Sequence, residues 1–564
     1  MSKPKCDAAE LSGARASRRA MMSKTVRIAG ATAAAGIFSS FAGCAMTANM
    51  QDDPVVDTSL GRLRGLRRDG IVNFKGIPYG QTTAGKNRFM PPVAMQPWAG
   101  VRDAVEYGPR APQNERPSAL PHVAWIRDTR PTSEDCLVLN VFTPAVNDNG
   151  KRPVMVYIHG GGFISGSSGA AGIDGTNLAK HGDVVVVSMN HRLNVFGHCY
   201  LGALDARFAD SGNVGMLDLV VALRWVRDNA AAFGGDAGNV TIFGQSGGAS
   251  KVAVLMAMPA AQGLFHKAIV QSASSLLRMA PAADASRSAQ AIMAQLGIDK
   301  SKIAALQDVP PDQLLKAMSA SITATGIDNC RPVVDGRALP GHPFDPAAPA
   351  LSANVPLLIG TCETETAFDF SLNPKNFTLS AGEAHARVKF LLGVNDAAAD
   401  AILAAYQRTH PNATPSDLVV FIFSDYKYRQ NDIKAAERKA AQGKAPAYMY
   451  LFTWRTPVLD GNLKTPHTLC IPFVFGTVDV ATGITGTAPE RYALSEKVQG
   501  AWVAFARSGN PNHAGLPAWK PYSANERTTM IFDNVCKAVN DPAGADRIAI
   551  NTAPTYVAEL AGRR

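Results

Sequence analysis

From about Val55 onward the chain alternates short apolar runs with longer amphipathic stretches, the pattern of a mostly parallel sheet covered on both faces by helices. The apolar runs predict strands at 154–159, 184–190, 240–243, 268–271, 355–360 and 448–454. Val184-Val185-Val186-Val187 has no polar face, as a strand buried on both sides requires. Helical periodicity predicts helices at 214–232, 249–258, 283–296 and 494–507. Residues 55–65 and 71–75 read as a small antiparallel entry hairpin. The stretches 284–354 and 372–442 are helix-rich and read as cap and substrate walls. The expected class is α/β.

A length of 564 residues would allow several domains. No Ser/Pro-rich linker, block of like charge or internal repeat divides the chain, so 45–564 reads as one catalytic domain with helical insertions. The net charge of +10 first hints at nucleic acid, but residues 1–44 carry +5 of it. What is left is an ordinary solvated surface, and no nucleic-acid partner is expected.

Residues 1–44 read as an export signal. Ser17-Arg18-Arg19-Ala20-Met21-Met22 resembles a twin-arginine signal, and a weakly apolar stretch from Ile28 to Phe41 follows, too short for a permanent membrane helix. Phe41-Ala42-Gly43-Cys44 resembles a lipobox, which would anchor the protein through a lipidated Cys44. The alternative is plain cleavage nearby, after Ala45 or Ala48; a start at Met21 or Met22 would leave a Sec-type signal. The expected location is therefore outside the cytoplasm. The eight cysteines show no CxxC and no metal-ligand spacing, so most read as small buried hydrophobes.

Gly244-Gln245-Ser246-Gly247-Gly248 carries the chemistry. The pattern Gly-x-Ser-x-Gly lies between a predicted strand and a predicted helix, where a serine sits on a strained turn with its hydroxyl projecting at a helix N-terminus. A serine hydroxyl is a poor nucleophile at neutral pH and needs a histidine base, an acid to orient it and donors for an oxyanion. With the chain order Ser, acid, His, only His385, His410, His467 and His513 of eleven histidines come late enough. His385 falls in a helical pattern, His410 precedes Pro411 at a helix end, and His513 sits in a loop far from a strand. His467 follows a strand and a polar loop and has the position of the base. The acid should follow the strand at 355–360, where Glu363 and Glu365 both qualify and spacing does not separate them. His159-Gly160-Gly161-Gly162-Phe163 follows another strand, and its glycines can turn amides toward a carbonyl oxygen. As a phosphate loop it fails, lacking both Gly-Lys-Ser/Thr and Gly-x-Gly-x-x-Gly.

At this point the chain resembles the type-B carboxylesterases, α/β hydrolases that include bacterial carboxylesterases and cholinesterases. The resemblance spans roughly Val55 to Arg547 and rests on ordered motifs: Phe74 to Gly80, Arg88-Phe89-Met90-Pro91-Pro92, Ser133 to Val141, Asn190-His191-Arg192-Leu193-Asn194, Ala232-Phe233-Gly234-Gly235-Asp236, the glycine run and the serine elbow. It implies the α/β-hydrolase fold, Glu365 as the acid, His467 as the base, and the amides of Gly161, Gly162 and Gly247 as oxyanion donors. No cofactor or metal is implied. Trp125, Phe163 and Gln245 are candidate substrate-wall residues, with simple packing the alternative for Trp125. Gln245 stands where the family commonly has Glu, which disfavours a cationic alcohol. Ala111 replaces the family's usual cysteine, so Cys136 lacks its customary disulfide partner. Cys470 stands where Glu is frequent.

The expected activity is hydrolysis of neutral carboxylic esters, small molecules, through an acyl-enzyme. A carbamate, an amide or a bulky natural or xenobiotic ester could be cut by the same triad, and a non-catalytic binding module is the reading from another class. Aromatic content of 7% gives no sign of an aromatic gorge, and no amphipathic lid announces a lipase. Oligomeric state is not legible in the chain.

Overall fold

The computed structural model describes residues 53–115, 120–326 and 330–557. The expected export segment at 1–44, with Cys44, lies outside the described residues. Among those described, eleven strands form one sheet. Its order runs Lys537–Asn540, Thr528–Phe532, Ala447–Phe452, Leu357–Cys362, Lys267–Gln271, Gly235–Gln245, Arg152–Ile158, Val185–Met189, Val138–Thr143, Ile71–Pro78, Leu66–Arg68. The seven strands from Thr528–Phe532 to Val185–Met189 pair in parallel, and the strands outside them pair antiparallel.

Side chains alternate across a strand, so a strand covered on both faces feeds two cores. Val154, Val156 and Ile158 enter one cluster with Val187, Ile242 and Ile359. Met155 and Tyr157 enter the other with Val186, Phe243 and Leu358. The first core is closed by the helices Val214–Asn229 and Gly247–Ala257, through residues such as Leu219, Leu223, Val252 and Leu255. Leu494, Val498 and Trp502 of the helix Glu490–Ser508 close the second. Each such side chain contributes about 1.5–3 kcal/mol when fully buried.

The expected antiparallel entry element is present, but its two stretches fall in different sheets. Val55–Thr58 and Gly61–Arg64 do pair antiparallel, but in a separate three-stranded sheet with Val101–Asp103. Ile71–Pro78 instead pairs with Leu66–Arg68 and joins the main sheet against Val138–Thr143. The turn at Asp69-Gly70, with φ of 52° and 84°, makes that second hairpin tight. The helices Ala282–Gln295, Pro311–Thr325, Ala381–Leu392, Asp396–Thr409 and Pro415–Ser424 occupy the two helix-rich stretches.

Two buried ion pairs fasten loops to this frame. Arg88 binds Glu134 through Nε at 2.7 Å and Nη2 at 2.6 Å. Arg192 binds Asp218 of the helix Val214–Asn229 through Nε at 2.9 Å and Nη2 at 2.6 Å. Both are two-point guanidinium–carboxylate contacts, the geometry that compensates desolvation best. Cys136 is buried with a free thiol. No helix among the described residues is long and apolar enough to cross a membrane.

Candidate active site

The strand Gly235–Gln245 ends one residue before Ser246, and the helix Gly247–Ala257 begins one residue after it. That leaves Ser246 alone to turn the chain, at φ 58° and ψ −126°, a region an L-residue occupies only under strain. The turn closes because Gly248 has no side chain: a methyl there would overlap the carbonyl of Ile158 on the adjacent strand. Ser246 N–H donates to Gln271 O at 2.8 Å, tying the elbow to the next strand.

The loops after two neighbouring strands bring the other candidates together. His467 Nδ1 lies 2.5 Å from Glu365 Oε2, and the backbone N–H of His467 donates to Glu365 O at 3.0 Å. Glu365 Oε1 accepts from Cys362 N–H at 2.7 Å, so both carboxylate oxygens are engaged in a site 1% exposed. Thr465 N–H donates to Thr364 Oγ1 at 2.7 Å, and Thr364 N–H returns a bond to Thr465 O at 3.2 Å. Glu363 points elsewhere, with Arg455 at 3.8 Å.

The remaining histidine candidates are spent on other contacts. His385 faces Asp400 at 3.2 Å, His410 binds Asp546 at 2.9 Å, and His513 contacts Lys497 O at 3.0 Å. Among the described residues no hydrogen bond joins Ser246 Oγ to His467. The side-chain nitrogen of Gln245 lies 3.3 Å from Nε2 and 3.4 Å from Nδ1 of the imidazole. Serine–histidine contacts commonly tighten only as substrate binds.

The glycine run lies against the elbow, with the Gly162 backbone directly over Gly247. Gly161 and Gly162 adopt φ of 89° and 63°, which exposes their amides. Among the described residues the N–H groups of Gly161, Gly162 and Gly247 donate no hydrogen bond. His159 and His191 stack behind the loop with ring centroids 4.9 Å apart. Burial pushes the His159 imidazole down to about 3, so it stays neutral.

The three candidate wall residues are all buried, Trp125 at 4%, Phe163 at 6% and Gln245 at 1% exposure. Trp125 donates from Nε1 to His122 O and packs with Ala170 and Ile173 in the second core. Phe163 meets His198 edge-on at 5.6 Å. The rings that meet the His467 imidazole are Tyr428 at 5.0 Å and Phe368 at 6.3 Å. Tyr428 stands in a π-helical turn, Asp425–Arg429, a distortion that no hydrophobic pattern announces.

Two further polar residues escape a reading of the sequence. Lys251 is wholly buried, donating from Nζ to His159 O at 3.0 Å and Gly162 O at 2.8 Å, and burial lowers its pKa to about 7. Asp432 is 0% exposed, with neither carboxyl oxygen hydrogen-bonded among the described residues. Burial, and then the nearby charge of Glu365, push its carboxyl well above the usual range, so it holds its proton. Cys470 opens the helix Cys470–Phe475, its sulfur accepting from Gln271 Nε2 at 3.5 Å. Burial and contact with Cys470 keep the Cys362 thiol protonated.

A strained serine elbow, a buried Glu–His pair and a glycine loop on an eleven-stranded α/β sheet define the α/β-hydrolase class. Residues 52–549 match the carboxylesterase family, and the chain belongs to that family of carboxylic ester hydrolases. It is 35% identical to the para-nitrobenzyl esterase of Bacillus subtilis over 500 residues, covering 87% of this chain and 97% of that enzyme. It is 32% identical to the phenmedipham hydrolase of Pseudarthrobacter oxydans, covering 88% of this chain and 99% of that one. Among solved structures, a Geobacillus stearothermophilus carboxylesterase superposes with a TM-score of 0.77 at 38% identity, over 88% of this chain and 99% of its own.

Proposed function

We propose that this carboxylic ester hydrolase acts on neutral esters through an acyl-enzyme on Ser246. His467 takes the proton of Ser246 as the hydroxyl attacks the carbonyl carbon, and then gives it to the departing alcohol. Glu365 fixes the imidazole with Nδ1 protonated, leaving Nε2 to act as base, and stabilises the imidazolium that forms. The amides of Gly161, Gly162 and Gly247 receive the negative oxygen. Water, deprotonated by the same histidine, then releases the acid. The observation that carries this reading is the 2.5 Å contact between His467 and Glu365 beside a strained serine. The preference for a neutral alcohol rests on Gln245, an amide next to the imidazole where a carboxylate would attract a cation.

The test is Ser246→Ala with 4-nitrophenyl acetate as substrate. Loss of the nucleophile should leave the thermal transition in place and lower kcat by roughly 10⁴-fold or more. Undiminished turnover by the purified variant would remove the assignment.

Residues 1–44 we read as an export signal, with Cys44 as a lipid attachment point, ahead of a single catalytic domain at 45–564. The support is the Arg18-Arg19 pair, the apolar stretch after it and the Phe41-Ala42-Gly43-Cys44 sequence. Mass spectrometry of the mature N-terminus from a bacterial host distinguishes lipidation at Cys44 from cleavage after Ala45 or Ala48.

A further inference from the structure

We propose that Lys251 is a positioning residue of the oxyanion loop, holding the carbonyls of His159 and Gly162 so that the amides between them stay turned toward Ser246. This rests on the acyl-enzyme reading above and adds a component to it.

The helix that starts at Gly247 carries Lys251 on its second turn. Helical side chains lean toward the N-terminus, so the lysine reaches back beneath the elbow rather than outward. There it meets the loop after the neighbouring strand Arg152–Ile158, 92 residues away in the chain at His159 and 89 away at Gly162. The side chain is fully buried, and no carboxylate is bonded to it among the described residues. Its partners are two carbonyls.

Every carbonyl from residue 159 to residue 162 is held. His159 O accepts from Lys251 Nζ at 3.0 Å, and Gly160 O lies 2.9 Å from His159 Nδ1. Gly161 O accepts from Ser165 N at 3.1 Å and from Ser165 Oγ at 3.2 Å. Gly162 O accepts from Lys251 Nζ at 2.8 Å. In a planar trans peptide the N–H points opposite to the C=O. Fixing Gly160 O therefore aims the Gly161 N–H, and fixing Gly161 O aims the Gly162 N–H. Lys251 secures the peptides on either side of this pair, in a run of glycines where no side chain would otherwise limit rotation of the planes.

The clamp does not depend on the charge of Lys251. An ammonium carries three N–H groups and an amine two, so either form satisfies both carbonyls. The surroundings suit that tolerance. His159 and His198 are both pushed down to about 3 by burial and His191 is held well below its usual value, so all three stay neutral beside Lys251. The ring of Phe163 lies 5.5 Å from Nζ.

Lys251→Met keeps the length of the side chain and removes its donors. For 4-nitrophenyl acetate, kcat should fall about 10- to 100-fold with KM changed less than about 3-fold, the signature of misaimed groups that act in the transition state. Affinity for a phenyl trifluoromethyl ketone, whose adduct with Ser246 places an oxyanion on the loop, should fall by the same factor. Lys251→Arg should recover part of both. Unchanged kcat in folded Lys251→Met, a loss confined to KM, or unchanged ketone affinity would each overturn the proposal. If Lys251→Met does not fold, Lys251→Gln is read in its place, an intermediate loss in kcat and ketone affinity supporting the clamp and full activity refuting it. An inactive Ser246→Ala beside a fully active Lys251→Met defeats only this inference, whereas an active Ser246→Ala defeats the reading beneath it.

Discussion

His467 and Glu365 are joined twice, by Nδ1 to Oε2 at 2.5 Å and by backbone N–H to backbone carbonyl at 3.0 Å. The second bond holds the two loops at one separation whatever the side chains do. The first can then be short without either side chain searching for its partner, which is the preorganisation that the proposed role of general base needs.

Glu365→Gln tests this directly. The amide keeps the shape but can leave the imidazole in the wrong tautomer, and kcat should fall by roughly 10³- to 10⁴-fold. Glu363→Gln, two residues earlier, should retain activity within about 3-fold, because its carboxylate faces the exposed Arg455 at 3.8 Å and not the imidazole. Steady-state kinetics on the two variants distinguishes the carboxylates. Equal losses would mean that Glu363 shares the role.

Gln245→Glu would place a carboxylate where the amide nitrogen now lies 3.3 Å from His467 Nε2. An adjacent negative charge stabilises the imidazolium. Since the proposed base would work in its neutral form, the acid limb of the kcat/KM profile should move to higher pH, by about one pH unit. The ratio of choline-ester to neutral-ester turnover should rise at the same time. A profile that stays in place would show that residue 245 does not sense the imidazole.

Asp432 makes a prediction about stability. Its carboxyl is raised by burial and by Glu365, so the folded protein keeps a proton that the unfolded chain releases above about pH 4. Between that pH and its raised value in the fold, the folded state binds more protons than the unfolded one, and stability falls as pH rises. The slope from one such group is about 1.4 kcal/mol per pH unit. Asp432→Asn removes this contribution, so denaturant midpoints should depend less on pH above 4 in the variant than in the parent. An identical pH dependence in both would place the proton elsewhere.

Much of the site was legible because its chemistry is local. The elbow needs a strand, a serine and a helix in sequence, and Gly244 to Gly248 lie between two such patterns. His467 was separable from its rivals because they sit in helices or in a distant loop. Glu365 and Glu363 were not separable by spacing, since two residues apart in a loop says nothing of direction; the family resemblance chose between them. Lys251 and Asp432 carry no pattern that sets them apart from other charged residues in helical stretches. What makes them unusual is burial by segments far away in the chain, which periodicity does not encode.

The same reasoning explains the fold. The central parallel strands are long apolar runs and announce themselves. Thr528–Phe532 begins with two threonines, and Lys537–Asn540 is an exposed edge of four residues, so neither carries the buried-strand signal. The division of the entry region into two sheets depends on which neighbour each strand meets, and Ile71–Pro78 meets Val138–Thr143.

The central claim is that Ser246 is the nucleophile of an acyl-transfer site. Its most direct test is stoichiometric reaction with a neutral organophosphate, followed by intact-mass and peptide mass spectrometry. The account predicts one phosphoryl adduct per chain, located on Ser246, in step with loss of esterase activity and absent from Ser246→Ala. Complete inactivation with the adduct on another residue, or full esterase activity in a chain labelled at Ser246, would contradict it.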